Sequence, residues 1–258
     1  MLRAARDKLK RTPIIGPYLH DLYLKAIKNE GEILTIRSGI LAGGKWVRFM
    51  RTHNDQYING TYEPKLQSAI AEYLQPGMVF YDVGANAGFF SILASELVGQ
   101  TGRVIAFEPH PKTVKQLNAQ IAINNAKNID IVRSAVCNKI GYAEFSDDTT
   151  SVGASLGESS ARTITVKTTT LDQEAERRPP PSLIKIDVEG AEIDVICGAR
   201  RLISNKKPVL LVELHSYDIA IKYGSIMADF GYSTFDLNGK PFSVNATEER
   251  SFVLSKTK

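Results

Sequence analysis

V-F-Y-D-V-G-A-N-A-G, residues Val79 to Gly88, is the stretch on which the reading of this 258-residue chain turns. Val79 to Val83 is a short, largely apolar run carrying one acid, Asp82. Two glycines four positions apart follow, and then the aromatic pair Phe89 and Phe90. This is the profile of a buried parallel strand that turns tightly into a helix. Gly84 and Gly88 suit a turn whose backbone angles are closed to other residues, and they let a ligand lie against bare main chain. The free amides that open the next helix add a polar cradle.

Charge selects the ligand. A dinucleotide turn needs G-x-G-x-x-G so that pyrophosphate can rest on the helix N-terminus. Here the spacing is different, and Asp82 at the strand tip repels phosphate. An ammonium or sulfonium group is attracted instead, and Asn86 offers both a donor and an acceptor to an amino acid. S-adenosylmethionine carries those groups; NAD does not. Arg103 to Glu108 is a second short strand with an acid at its end, 20 positions after Gly88. An acid at that offset accepts hydrogen bonds from both ribose hydroxyls of a nucleoside laid across two adjacent strands. Pro109 holds the chain extended just beyond it.

Outward from this pair, a strand–helix alternation predicts a mostly parallel α/β sheet of Rossmann-like type with all ligand-bearing strand tips on one edge. Phe89–Leu97 and Lys112–Ile123 read as helices and Ile129–Val136 as the third strand. Tyr142–Phe145 and Thr163–Thr169 read as strands around a Ser/Gly-rich stretch, Asp147 to Ala161, taken as a loop or a lid over the substrate. Leu183 to Asp187 is the fourth parallel strand. Lys185 and Asp187 share a face there, and a buried lysine needs a carboxylate partner. Glu189 and Glu192 add acids at the turn. A helix over Ile193–Ile203 leads to a fifth strand, Pro208–Leu214, with Glu213 inside it and His215 just past its tip. A helix over Ile219–Phe230 precedes Tyr232–Asp236 and Phe252–Leu254, which close the sheet as an antiparallel edge.

Upstream, Glu63 to Leu74 reads as a helix, and Ile33–Ile36 with Lys45–Met50 as a hairpin over one end of the core. Residues 1–61 are expected to form an extension and residues 62–258 the ligand-binding domain. Leu19–Ile27 suggests a short amphipathic helix. Met1 to Arg11, with five basic residues against Asp7, reads as a solvated arm, its alternative being a weak contact with an anionic membrane surface.

Composition narrows the function. A hydrophobic content of 43% with 23% charged residues fits a soluble globular protein. The formal charge of +4, without basic blocks interleaved with aromatics, gives no reason to expect a nucleic-acid partner. Two cysteines without a C-x-x-C or His-Cys cluster argue against a zinc site or disulfide framework and for a reducing, cytoplasmic setting. No run is long enough to span a membrane.

At this point three motifs converge. D-V-G-A-N-A-G at Asp82 to Gly88, F-E-P at Phe107 to Pro109, and I-K-I-D-V-E-G-A-E at Ile184 to Glu192 resemble the FkbM family of S-adenosylmethionine-dependent methyltransferases, as do T-T-T-L-D at Thr168 to Asp172 and V-E-L-H at Val212 to His215. The resemblance implies a seven-stranded class I methyltransferase sheet with an antiparallel C-terminal strand. It also implies O-methylation of a sugar, glycan, glycolipid or polyketide-type hydroxyl. By motif match, Asp82, Gly84, Ala85, Asn86 and Gly88 hold the methionine part, Glu108 and Pro109 the ribose end, and Ser134 and Ala135 approach the adenine, with Asp187 also touching the cofactor. His215 and Glu189 are the candidate general bases, since an aliphatic hydroxyl, like water with its pKa of about 15.7, does not ionise unaided. Asp187 and Glu213 are there to orient these bases or to bind a metal, but no H-x-x-x-H or comparable spacing supports a metal, and none is expected. A nicotinamide oxidoreductase and a non-catalytic nucleoside-binding module are the alternatives on the same fold.

Overall fold

A computed structural model describes residues 30–49, 53–147, 163–243 and 251–257. The basic arm, the helix expected over Leu19–Ile27 and nearly all of the expected lid lie outside the described residues. The chain opens with a hairpin of β1 (Ile33–Thr35) and β2 (Lys45–Val47), then α1 (Asn54–Asn59) and α2 (Pro64–Tyr73). The alternating part follows as β3 (Val79–Val83), α3 (Phe89–Val98), β4 (Arg103–Phe107), α4 (Pro111–Ile123) and β5 (Ile129–Val132). Next come β6 (Ala135–Val136), β7 (Gly141–Ser146), β8 (Thr163–Thr169), α5 (Leu171–Arg177) and β9 (Leu183–Ile186). The described chain ends with α6 (Glu192–Cys197), α7 (Arg200–Lys206), β10 (Val209–Leu214), α8 (Tyr217–Asp229), β11 (Ser233–Asp236) and β12 (Ser251–Lys256).

Seven strands form one sheet in the order β11-β12-β10-β9-β3-β4-β5, and only the pairings of β12 are antiparallel. The central strands are buried on both faces, as expected where helices cover a parallel sheet: Phe80, Tyr81, Ile105, Ile184 and Leu211 are fully enclosed. The reversal of strand order beside β3 puts the tips of β10, β9, β3, β4 and β5 side by side, the usual crevice for a ligand.

Two expected elements divide. The third strand ends at Val132, whose carbonyl accepts from both Ser134 N and Glu108 N at 2.9 and 3.1 Å. That tight turn sends Ala135–Val136 into a separate three-stranded sheet with β7 and β8. The helix expected over Ile193–Ile203 breaks at Gly198. A Cβ there would lie 2.1 Å from the Cys137 carbonyl, so the helix makes room for a crossing backbone.

Packing does not stop at the expected boundary between residues 61 and 62. Trp46 of the hairpin is fully buried, with its ring centroid 4.6 Å from Tyr57 and 6.0 Å from Phe89 of α3. Burying a ring of roughly 200 Å² at about 25 cal/mol per Å² contributes up to about 5 kcal/mol. From α4, Gln120 grips Val47 through both its N–H (2.9 Å) and its carbonyl (2.8 Å), and Asn124 does the same for Lys45 at 2.9 and 2.8 Å. Two amide side chains thus satisfy a hairpin edge that no strand covers among the described residues. Among the described residues, 30–61 share the core of the main unit.

Candidate active site

The turn after β3 is built differently from the expectation. Asp82 does not face an amine ligand: its side chain is fully buried, accepting from Ser91 Oγ at 2.6 Å and from Lys185 Nζ at 3.2 Å. Asp82 and Lys185 stand directly opposite each other in the β3–β9 register. Lys185 also donates to the Gly84 carbonyl at 3.1 Å and lies 3.4 Å from Asp187 Oδ2, so its three hydrogens have three oxygens. Burial opposes the ammonium charge, but Asp82 and Asp187 outweigh it and raise the lysine's pKa. The partner expected for Lys185 is therefore present, and it is the acid that had been assigned to the cofactor. Lys185 is a clamp between two strand tips.

The glycines serve packing as well. A Cβ on Gly84 (φ +79°) would sit 1.8 Å from the Asp187 carbonyl, and one on Gly88 (φ +96°) 2.3 Å from Leu117 Cδ1. Their bareness lets β9 and α4 close in. The residue that faces solvent at this turn is Asn86, in the left-handed region at φ 50°. Ala85 is buried, with its N–H on the Phe107 carbonyl. Helix α3 begins at Gly88 with no side-chain cap, which leaves first-turn amides for an anionic group.

Glu108 sits across the turn at the tip of β4. Its Oε2 accepts from Asn86 N at 3.0 Å and its Oε1 from His110 N at 2.9 Å, with Pro109 spanning between. Each oxygen keeps a further lone-pair direction, the requirement for receiving two vicinal hydroxyls. Burial pushes this carboxyl up to about 7 against the two amide bonds that favour its charge. Ser134 and Ala135 follow the next strand over, at the Glu108 end of the edge.

On the other side of β3, the tips of β9 and β10 bring together Asp187, Glu189, Glu192, Glu213 and His215. His215 Nδ1 is hydrogen-bonded to Glu192 Oε1 at 2.6 Å, and Glu192 is fully buried. His215 Nε2 lies 3.3 Å from Glu189 Oε2, 3.3 Å from Glu213 Oε2 and 3.9 Å from Asp187 Oδ1. Burial acts against a charged ring here, yet the bond to Glu192 and the neighbouring Glu213 raise it to about 10. Burial likewise favours neutral Asp187, but Lys185 beside it holds its pKa low. Burial, with Asp187 close by, raises Glu213. Five carboxylates, counting Asp82, face two cations, Lys185 and His215, so this end of the edge is electronegative.

Three contributors were not singled out from sequence. Glu192 was one acid among several, and only the fold reveals it as the anchor of His215. Tyr57 and Tyr62 come from the poorly patterned N-terminal segment and stack with Phe89 and Phe90 at the start of α3, with centroid distances of 5.0 Å for Tyr57–Phe89 and 5.6 Å for Tyr62–Phe90. Burial first, and then the carboxylates of Asp187, Glu63 and Glu213, raise the Tyr62 hydroxyl.

The donor set fits S-adenosylmethionine. Glu108 matches the ribose hydroxyls, the uncapped amides of α3 match a carboxylate, and the electronegative end of the edge matches a sulfonium and an ammonium.

Residues 82–234, more than half of the chain, match the profile of the Methyltransferase FkbM domain. Hexuronic acid methyltransferase AglP of Haloferax volcanii is 27% identical over 140 residues, which cover 54% of this chain and 56% of that relative. The chain thus spans about half the length of the curated relative it matches. A candidate rRNA-methylase from Clostridium thermocellum shares the fold with a TM-score of 0.51 at 9% identity, over 74% of this chain and 93% of that one. Methyltransferase FkbM from Methylobacillus flagellatus aligns with a TM-score of 0.47 at 17% identity, over 80% of this chain and 56% of that one.

Proposed function

Because the chain belongs to the FkbM family of S-adenosylmethionine-dependent methyltransferases, we propose that it methylates a sugar hydroxyl, the acceptor lying over the tips of β9 and β10. The observation that carries this reading is the layout of the edge. Glu108 stands on one side of β3 and the acid–histidine cluster on the other, about three strand spacings or roughly 14 Å apart from β4 to β10. A donor gripped by its ribose at Glu108 then presents its far end to that cluster. The relative that acts on a hexuronic acid supports a sugar as the acceptor class. The family match leaves the nicotinamide alternative without support.

S-adenosylmethionine supplies a methyl group already activated by its sulfonium. What remains for the protein is alignment, exclusion of water and removal of one proton. Tyr57, Tyr62, Phe89 and Phe90 pack on one another at the start of α3, with the Phe90 ring 5.6 Å from Lys185 Nζ. Glu189 is the proton acceptor in this reading: its side chain is 20% exposed, at the mouth of the cluster, and its backbone is held at φ 53°. His215 lies behind it, 7% exposed, and orients the acids. General-base help of this kind is worth about 10² to 10⁴ in rate. Residues 62–258 carry the chemistry, and residues 30–61 cover one end of it.

Incubating the protein with methyl-labelled S-adenosylmethionine and uronic-acid-containing glycosides tests the assignment. The expected product is a base-stable methyl ether. A base-labile methyl ester, or no transfer to any sugar, overturns it, since a carboxylate acceptor has no proton to lose and no use for a general base.

A further inference from the structure

Of the buried nitrogens without a hydrogen-bond partner among the described residues, one lies inside the acid cluster. His215 Nε2 is inaccessible to solvent and has no hydrogen-bond partner among the described residues: the Glu189 and Glu213 oxygens lie 3.3 Å away but are not aligned with it. The ring is 93% buried, its side-chain exposure being 7%, and it cannot turn away, because Nδ1 is tied to buried Glu192 at 2.6 Å. With Glu192 accepting, Nδ1 carries the hydrogen and Nε2 is the atom aimed at the acids. Ligand atoms of Asp187, Glu213 and His215 all lie within 4.8 Å of one another. Asp187 is already divided: Oδ2 is 3.4 Å from Lys185, and Oδ1 faces His215.

We propose that Asp187, Glu213 and His215 bind a divalent first-row cation, with Glu192 as the positioning residue behind the histidine. The arrangement has the parts such a site needs: two carboxylates and an imidazole from neighbouring strand tips, and a carboxylate fixing the other ring nitrogen. Side-chain exposures of 22% for Asp187 and 20% for Glu213 leave an open side toward the acceptor. The three ligands come from two places in sequence, Asp187 after β9 and the E-x-H of Glu213 and His215 at the end of β10, which is why no helix-type ligand spacing announced them. The expectation of no metal rested on that spacing and on the lack of a cysteine cluster, and neither registers ligands that separate strands bring together.

The inference builds on the proposed sugar acceptor and adds to it. A cation held by Asp187, Glu213 and His215 would offset the surplus of carboxylates and make an acceptor hydroxyl bound to it more acidic, with Glu189 taking the proton. It also gives a uronic acid's own carboxylate a positive partner in a pocket that otherwise repels it.

Manganese(II) binding measures this without any turnover. The chelator-treated full-length protein is titrated with MnCl₂ and free manganese is followed by its paramagnetic resonance signal; S-adenosylhomocysteine binding is measured on the same samples. The expected result is one saturable site per chain, weakened at least tenfold in Glu213→Gln and about 10 to 100-fold in Glu192→Gln, with S-adenosylhomocysteine still bound by both variants. Glu213 is partly exposed, so its variant keeps the core intact, and retained S-adenosylhomocysteine binding confirms the fold. No saturable site in the parent protein, or equal affinity in Glu213→Gln, overturns the proposal and identifies the occupant facing Nε2 as a proton. Failure of methyl transfer with manganese still bound rejects the sugar acceptor and leaves the cation site standing.

Discussion

Lowering the pH from 8 to 6 is expected to weaken S-adenosylhomocysteine binding about tenfold through Glu108 alone. The carboxyl is buried and pushed up to about 7, while Asn86 N–H and His110 N–H hold its two oxygens in place for the ribose. Ribose hydroxyls donate best to the ionised form. If binding requires that form, the apparent dissociation constant scales with the inverse of the ionised fraction, about one in eleven at pH 6 and ten in eleven at pH 8, or about 1.4 kcal/mol. The effect on folding has the opposite sign. An acid whose folded pKa lies above its ordinary 4.5 makes the native state hold extra protons between 4.5 and about 7, so this group stabilises the fold as the pH falls through that window. Weaker binding at pH 6 therefore cannot be attributed to Glu108-driven unfolding. Calorimetric titrations at pH 6, 7 and 8 on the parent and on Glu108→Gln measure it. The parent should lose about tenfold and the variant, weaker throughout, should be flat. A flat parent profile, or the same slope in both proteins, refutes the role given to Glu108.

Lys185→Met is expected to cost about 3–5 kcal/mol of stability, because it leaves Asp82 fully buried without its cation; urea denaturation reads this, and a loss below 1 kcal/mol would show that the ion pair is dispensable. Gln120→Ala strips both the N–H and the carbonyl of Val47 of their partner, at about 1–3 kcal/mol for each group left unsatisfied. Hydrogen exchange at the Val47 amide should accelerate in that variant before global unfolding, and unchanged protection would mean that the hairpin is held by Trp46 alone.

The sheet was legible because its central strands are short apolar runs ending in turns. Val79–Val83, Arg103–Phe107 and Leu183–Ile186 fall where the pattern put them, and the antiparallel closing strand matches as well. The pairing of Asp82 with Lys185 was not legible for lack of register: periodicity shows an acid near the end of β3 and that Lys185 needs one, but only the pairing of β3 with β9 sets them opposite each other. The broken elements failed similarly, since the stop after Val132 and the break at Gly198 answer to the backbone of Glu108 and of Cys137, both distant in sequence. Glu108 was readable because its offset from the glycine turn is itself the signal. His215 and Glu189 come together at the sheet edge, yet the bond that aims the histidine comes from Glu192, whose burial no local pattern revealed. The aromatic cluster stayed hidden for the same reason: Tyr57 and Tyr62 meet Phe89 and Phe90 through the fold and not through any local spacing. No described helix is long and apolar enough to cross a membrane.

A crystal of the protein soaked with S-adenosylhomocysteine tests the central claim most directly. The account predicts density for the nucleoside over the β3 turn, both ribose hydroxyls on the Glu108 carboxylate and the sulfur end directed toward Asp187 and Glu189. A nucleoside bound elsewhere, or one whose ribose leaves Glu108 untouched, contradicts it.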